Sequence, residues 1–288
     1  MIRILGTIFA GLLGLAFGSF LNVCLSRWPE GESVVKPRSH CRGCGRVLKW
    51  WENVPLVSWV ALRGRCRGCG AWIGWRYVIV EAAVGGLWAF IASQAVSDIP
   101  LLPSTTVRDF EEGVALAILS WLLVALAVLD AENLWLPNFL TIPGACAGLL
   151  ITFYFQARGN SFFRPAQPLR ILPVRIAGIL AAAGLILLIR LAYWLIRHRE
   201  GIGLGDAKLM ALLAAWLGLR GALLAFAIGV ILGAVVAGAV LAVPRKGPNR
   251  DGWGLLKLPL GTFLCIGGIV SGLAGQQIIA AYMRWAGF

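Results

Sequence analysis

Ser120-Trp-Leu-Leu-Val-Ala-Leu-Ala-Val-Leu-Asp130 is an apolar run that stops on a carboxylate. Apolar stretches of helical length, bounded by charges or by Gly and Pro, recur along the whole chain. Hydrophobic residues fill 59% of the 288 positions and charged residues only 14%, and the mean hydropathy is +0.81. Such a chain has too little polar surface to cover a water-soluble globule. It reads as an all-α polytopic membrane protein. Runs close to the ~20 residues that cross about 30 Å of hydrocarbon give about eight transmembrane helices. They lie at 4–25, 77–96, 113–130, 138–156, 174–196, 206–219, 221–243 and 258–283, the sixth being short enough for a partial or tilted span. The first run is too long for the core of a cleaved signal and no A-x-A site follows it, so it reads as a permanent helix.

Orientation follows from Lys and Arg, which are enriched in cytoplasmic loops. The loop from Arg27 to Arg76 holds ten of them, which places it inside together with the connections at 130–137, 197–205 and 244–257. The stretch 97–112, with one Arg and four acids, suits an outer loop. The stretch 158–175 falls outside by the same count although it carries four Arg, and the larger cluster outweighs it. In this setting a net charge of +13 orients the protein and attracts the anionic headgroups of membrane lipids, and nucleic-acid binding is not expected.

Between the first two spans, 27–76 is the one connection long enough for a small extramembrane domain, yet too short to bury a core of its own. Its many Gly and Pro residues read as turns and short strands. Cys41, Cys44, Cys66 and Cys69 supply the staple: C-x2-C, 21 intervening residues, then C-x2-C, close to zinc-ribbon spacing. Each C-x2-C turn aims two thiolates at one ion, and the neighbouring glycines let backbone N–H groups point at sulfur. Four thiolates leave no open coordination position, so the zinc is expected to be structural. Disulfides are the rival, disfavoured by the reducing compartment that the loop charge implies. Cys24, Cys146 and Cys265 are isolated in apolar spans and read as small hydrophobes. The chain thus divides into a first membrane helix (1–26), a cytoplasmic four-cysteine zinc-binding domain (27–76) and a membrane-embedded body (77–288).

Two acids stand out in that body. Asp130 ends its apolar run, and Asp206 follows Gly-Ile-Gly-Leu-Gly205 at the head of another. Ionisable groups at membrane depth are costly and usually mark a site. Two carboxylates brought close share one proton, so that one takes a proton from water while the other protonates a carbonyl. Gly203 and Gly205 remove bulk beside Asp206, which would admit a peptide backbone or the partner acid. The bland alternatives are a helix N-cap for Asp206 and a solvated helix-end residue for Asp130. Lys208 either tunes the pair or snorkels, and Glu132 is an alternative to Asp130 whose loop position favours plain solvation.

Taken in order, these residues carry a resemblance. Gly18-Ser-Phe-Leu-Asn-Val-Cys24 with Arg27 and Pro29, Ser39-His-Cys41-x-x-Cys44-Gly and Trp51-Glu-Asn-Val-Pro55-Leu-Val-Ser-Trp59 are its first part. Leu62-Arg-Gly-Arg-Cys66-x-x-Cys69-Gly, Arg76-Tyr77, Val80-Glu81, Asp130 with Leu136-Pro137, and Gly203-x-Gly205-Asp206-x-Lys208-Leu209 complete it. The chain resembles the type IV prepilin peptidases, bacterial leader peptidases and N-methyltransferases of the GxGD intramembrane aspartyl type. The resemblance implies catalytic roles for Asp130 and Asp206, zinc on Cys41, Cys44, Cys66 and Cys69, and an aspartyl peptidase in 77–288. It implies removal of a short basic leader from prepilins or type II secretion pseudopilins, between Gly and Phe, at the cytoplasmic face of the bacterial inner membrane. It also implies methylation of the new N-terminus with S-adenosylmethionine as donor. Val78 stands where Pro usually follows Arg-Tyr, and Asn138 where Asp usually follows Leu-Pro.

Glu52, Asn53, Arg76 and Tyr77 are candidate contacts for substrate or methyl donor, as are Gly203, Gly205 and Lys208 beside Asp206. Trp50, Trp51, Trp59, Trp72 and Trp75 read as an interfacial belt. The competing functions are a peptidase without methyl transfer, a non-enzymatic scaffold for secretion assembly, and a transporter that uses the acids for proton coupling.

Overall fold

The computed structural model describes residues 2–95, 103–157, 171–198, 203–242 and 258–287. Most of the expected outer connections, and the basic connection at 244–257, lie outside the described residues. The helices are α1 (Ile2–Arg27), α2 (Val57–Ala61), α3 (Arg76–Ala95), α4 (Pro103–Asn133), α5 (Asn138–Ala157), α6 (Ile171–Arg197), α7 (Leu204–Ala242) and α8 (Leu260–Trp285). Among the described residues, seven helices are long and apolar enough to cross a membrane, and α2 is a short turn of helix within the extramembrane loop. The chain is a multi-pass membrane protein.

Seven elements stand where eight spans were expected because α7 takes in both the sixth and the seventh. The break between them survives as a kink: Gly218, at φ 73° and ψ 172°, is not helical. That backbone region is essentially restricted to glycine, so one residue ends the arm 204–217 and the next begins the arm 219–242 without an intervening loop. Beside the kink, the Ala214 carbonyl has a side-chain donor. Arg175 Nη1, from α6, donates to it at 3.5 Å. Two helices also begin earlier than expected, α4 at Pro103 and α6 at Ile171. Proline suits the first helical position, where its missing N–H costs nothing.

The fold comprises two compact units, Met1–Ala125 and Leu126–Phe288, divided inside α4. In the first, α1 and α3 pack side by side through small residues, the usual basis of close helix contact in lipid. A Cβ added at Gly18 would meet Glu81 Cα at 2.8 Å, and one at Gly85 would meet Leu15 at 2.6 Å. Trp121 and Trp88 join the first part of α4 to this pair, their indole N–H groups donating to Phe17 O at 3.3 Å and to Ala117 O at 3.1 Å respectively. The extramembrane loop folds with two 3-10 turns, Trp28–Glu30 and Trp50–Asn53, and with isolated bridges His40 to Val47 and Arg65 to Trp72. No strand forms among the described residues. The short strands expected there contract to single bridges because a tight knuckle sits between the two partners of each.

In the second unit the arm 204–217 is the axis. Leu209, Met210 and the run 212–217 are buried on all sides, as an evenly apolar helix requires, with α5 and α6 against its end at Ala214 to Trp216, while α8 packs on the arm 219–242 at Gly221, Ala225 and Gly229. Trp216 Nε1 donates to Gly144 O at 2.8 Å, and Gly148 makes room for its ring. This rigid arm carries Asp206 at its head.

Candidate active site

A helix N-terminus has N–H groups with no partner inside the helix. Those of α8 follow Pro259, which offers no side-chain cap. Asp130, in the last turn of α4 and 132 positions away in sequence, supplies the missing acceptor: Thr262 N donates to its Oδ2 at 2.7 Å. The Thr262 hydroxyl lies 3.2 Å from the same oxygen, and the Gly261 N–H also reaches the carboxylate. Asp206 occupies the corresponding place on its own helix, accepting from Gly203 N at 3.2 Å through Oδ2. Both acids are buried, at 6% and 8% exposure, each at the positive end of a helix dipole, and they lie within Coulombic reach of one another.

Two glycines shape the space between them. A Cβ at Gly261 would sit 2.8 Å from Asp130 Oδ2 and 3.0 Å from Leu136 Cδ1, and one at Gly205 would sit 3.1 Å from that same methyl. Leu136 therefore wedges between the heads of α7 and α8. The close approach that Gly205 permits in this structure is that of Leu136, where the sequence had led us to expect a peptide or the partner acid. A Cβ at Gly203 would meet Asp206 Oδ2 at an ordinary 3.6 Å. Lys208 Nζ donates to Asn138 Oδ1 at 2.7 Å, so it is tied to the head of α5. Glu132 is exposed. Thr262 and Gly261 were missed by the sequence reading. Their signal was Leu258-Pro-Leu-Gly-Thr262, a helix start whose cap residue is a proline and whose first turn holds a glycine and a hydroxyl.

In the first unit the four thiols converge. Cys41, Cys44, Cys66 and Cys69 place their sulfurs within 4.8 Å of one another, with Cys41 and Cys69 Sγ 3.8 Å apart. A tetrahedron with metal–sulfur bonds of about 2.3 Å has edges of about 3.8 Å, so the cluster can hold a metal ion of that kind. The sequence repeat is also a hydrogen-bond repeat. Cys41 N donates to Arg46 O and Cys66 N to Ala71 O, at 2.9 and 2.8 Å; Gly45 N and Gly70 N donate to Cys41 O and Cys66 O, both at 2.8 Å. Gly43 N and Gly68 N each approach the preceding knuckle sulfur at 3.4 Å. Gly45 and Gly70 close the knuckles in the left-handed region, at φ 69° and 71°. Backbone N–H groups of Cys69 and Gly68, with the Cys41 thiol, pull the Cys66 thiol down to about 6. A thiolate is the form that a metal binds.

Glu52 sits beneath this cluster with its side chain fully enclosed. Arg46 Nη2 and Nη1 donate to its two oxygens at 2.8 and 3.1 Å, and Lys49 N adds a third bond at 2.9 Å. The Arg46 fork, with the Lys49 N–H, holds the Glu52 carboxyl below its ordinary range. Asn53 is exposed. Arg76 and Tyr77 open α3 and engage the end of α1: Arg76 Nη2 donates to Ser26 Oγ at 2.6 Å, and Asn22 Nδ2 donates to Tyr77 O at 3.0 Å. Glu81, one turn further along, is buried and accepts from Leu56 N at 2.8 Å, tying the extramembrane loop to α3. Trp59, Trp72 and Trp75 cluster with ring centroids 4.6 to 5.8 Å apart, and the last two are largely exposed.

Seven apolar helices, a buried acid pair at two helix heads and a four-thiol cluster on an extramembrane loop define a multi-pass membrane protein with the makings of an intramembrane hydrolase. Residues 12–95 match the bacterial peptidase A24 N-terminal domain and residues 117–238 the type IV leader peptidase family. A prepilin leader peptidase/N-methyltransferase of Stutzerimonas stutzeri is 31% identical over 96% of this chain and 93% of its own length. Another so named, from Pseudomonas aeruginosa, is 30% identical over 96% and 93%. One from Myxococcus xanthus is 38% identical over 85% of this chain and 66% of its own length. The chain belongs to the type IV leader peptidase family and is a membrane-embedded protease. No solved structure matches it at comparable significance.

Proposed function

We propose that this protein removes the short basic leader of prepilins or pseudopilins at the cytoplasmic face of the bacterial inner membrane, with Asp130 and Asp206 as the catalytic residues. The observation that carries the proposal is the placing of both carboxylates, buried, at the heads of α8 and α7 within electrostatic reach of each other. One proton is shared by the pair. The ionised acid draws a proton from water as the oxygen attacks the carbonyl carbon of the Gly-Phe bond, and the protonated acid gives its proton to the carbonyl oxygen. Collapse of the tetrahedral diol breaks the C–N bond, and the departing nitrogen takes up a proton from the pair. The leader's positive residues stay at the anionic headgroups while the apolar tail remains in lipid.

The four sulfurs support a structural zinc whose role is to fold the loop at 27–76. N-methylation of the new amine is the second activity proposed, in line with the relatives' names, and S-adenosylmethionine would supply the methyl group. Of the extramembrane-side residues considered for contact with substrate or donor, Glu52 is engaged by Arg46, Arg76 by Ser26, and the Tyr77 ring by the Arg76 guanidinium 5.0 Å from its centroid, which leaves Asn53 as the more open group. Gly203, Gly205 and Lys208 are proposed to border the substrate beside Asp206.

The test is purified protein in lipid nanodiscs, given a peptide with a basic leader, a Gly-Phe junction and an apolar tail, and read by mass. Leader loss is expected from the wild type and not from Asp130→Asn or Asp206→Asn; cleavage unchanged in both variants defeats the assignment. A further mass gain of one methyl on adding S-adenosylmethionine reads the second activity separately.

A further inference from the structure

The Thr262 hydroxyl has two oxygens in reach and one proton to give. It lies 3.0 Å from Ala127 O, a carbonyl of the last turns of α4, and 3.2 Å from Asp130 Oδ2. The Thr262 backbone N–H holds the same Oδ2 at 2.7 Å whatever the hydroxyl does. An ionised carboxylate only accepts, so beside an ionised Asp130 the hydroxyl donates to Oδ2. A carboxylic acid also donates, so beside a protonated Asp130 the hydroxyl turns its proton to Ala127 O and receives the acid's proton with its lone pair. Rotation about one C–O bond thus serves both states without leaving a buried polar atom unpaired, a loss that would oppose each proton transfer.

We infer that Thr262 is a positioning residue for peptide cleavage, its hydroxyl alternating between Ala127 O and Asp130 Oδ2 as Asp130 exchanges its proton. The inference rests on the catalytic reading of the acid pair. It goes beyond that reading by naming a residue from the last helix, and a proton-responsive contact, on which the pair depends. Among the described residues, the titratable groups on the packed helices that feel the Asp130 charge are Asp206, from α7, and the buried Cys265 thiol, from α8, while Glu132 on α4 itself is exposed. The Cys265 side chain is enclosed in α8, and Asp206 is the partner in the reaction, so neither takes over the hydroxyl's task.

Valine matches threonine in shape and lacks the hydroxyl, while the backbone N–H remains. Thr262→Val is expected to lower kcat about 10- to 100-fold, the range set by one hydrogen bond to a charged group, with KM unchanged and the pH–rate profile displaced. Thr262→Ser restores the hydroxyl and is expected to recover most of kcat and the original profile. Thermal unfolding of each variant in the same nanodiscs reports whether the fold survives. A purely structural Thr262 would tie the loss in kcat to the loss in stability, with the pH profile unmoved, and that result overturns the inference. A Thr262→Val enzyme with wild-type kcat and profile overturns it also, as does a Thr262→Ser enzyme no better than Thr262→Val. Asp130→Asn is assayed alongside. Activity in that variant brings down the catalytic reading and this inference together, whereas an inactive Asp130→Asn beside an unaffected Thr262→Val removes this inference alone.

Discussion

Cys41 and Cys44 share one tight turn and Cys66 and Cys69 another, and each knuckle takes its hydrogen bonds from residues within five positions of its first cysteine. Asp130 takes its donors from Thr262, 132 positions later. The thiol cluster is a local device repeated twice, and the acid pair is a meeting of helix ends from distant parts of the chain. The difference teaches where each is fragile. A local knuckle fails when its own ligands or its metal are lost. A site made of helix ends fails when the helices that carry it move by fractions of an ångström.

The largest effect expected tests the local half. Structural zinc contributes on the order of 10 to 16 kcal/mol to small domains that fold around it. Cys69→Ser, or a strong chelator, is therefore expected to release the metal and unfold the loop at 27–76. Metal analysis of the purified protein, with alkylation of Cys41, Cys44 and Cys66 followed by mass, checks this. Thiols that stay protected after the metal has gone would show that the loop holds itself together by other means.

The distant half is tested next. Asp130→Asn and Asp206→Asn are each expected to cost roughly 100- to 10,000-fold in leader cleavage, the usual weight of a general acid or base. Zinc content is expected to be unaltered. A variant of either acid that sheds metal would erase the contrast between the two regions.

A finer test comes from the glycines around Leu136. Gly261→Ala puts a methyl 2.8 Å from Asp130 Oδ2, so the carboxylate or the head of α8 must shift. A displacement of that order at a catalytic group is expected to reduce kcat by about 10- to 100-fold. Gly205→Ala meets Leu136 Cδ1 at 3.1 Å and Cβ at 3.2 Å, looser contacts that do not touch an acid, and is expected to cost less. Comparing the two kcat values decides the point, and a larger loss at position 205 would mean that the Leu136 wedge matters more than the Asp130 cap.

How much of this the sequence could reveal follows the same division. The knuckles were legible because C-x2-C spacing is itself the geometry: both ligands, the turn and its glycines are contiguous. The spans were legible from apolar length, and the expected boundary at 219–221 fell beside the Gly218 kink, although a glycine that breaks a helix without a loop looks in sequence like the end of a span. The two acids were legible as costly charges at helix ends. The cap on Asp130 was not, since no periodicity connects Thr262 with α4 and a hydroxyl at a helix head is ordinary there. The Arg46 to Glu52 fork was hidden for another reason: six positions apart in a Gly-rich loop, the two residues could be brought together only by the fold of the knuckles.

That fork supplies the smallest effect, and it sharpens the local side of the comparison. Arg46 holds the Glu52 carboxyl below its ordinary 4.5, so the ionised form is favoured in the folded loop relative to the unfolded chain. A carboxylate with a depressed value stabilises the fold fully above the unfolded value, and that contribution fades as pH falls from there through the folded value. Glu52→Gln removes this dependence while keeping a hydrogen-bonding side chain of the same size. At neutral pH the wild-type loop is expected to be the more stable of the two, and the gap is expected to narrow below about pH 4.5 as Glu52 takes up its proton. Alkylation of the four cysteines as a function of pH, run on both proteins, measures that gap with the acid release of metal common to both. A gap that stayed constant down to strongly acid pH would mean that the fork does not depend on the charge of Glu52, and the stability of the loop would then rest on its thiols alone.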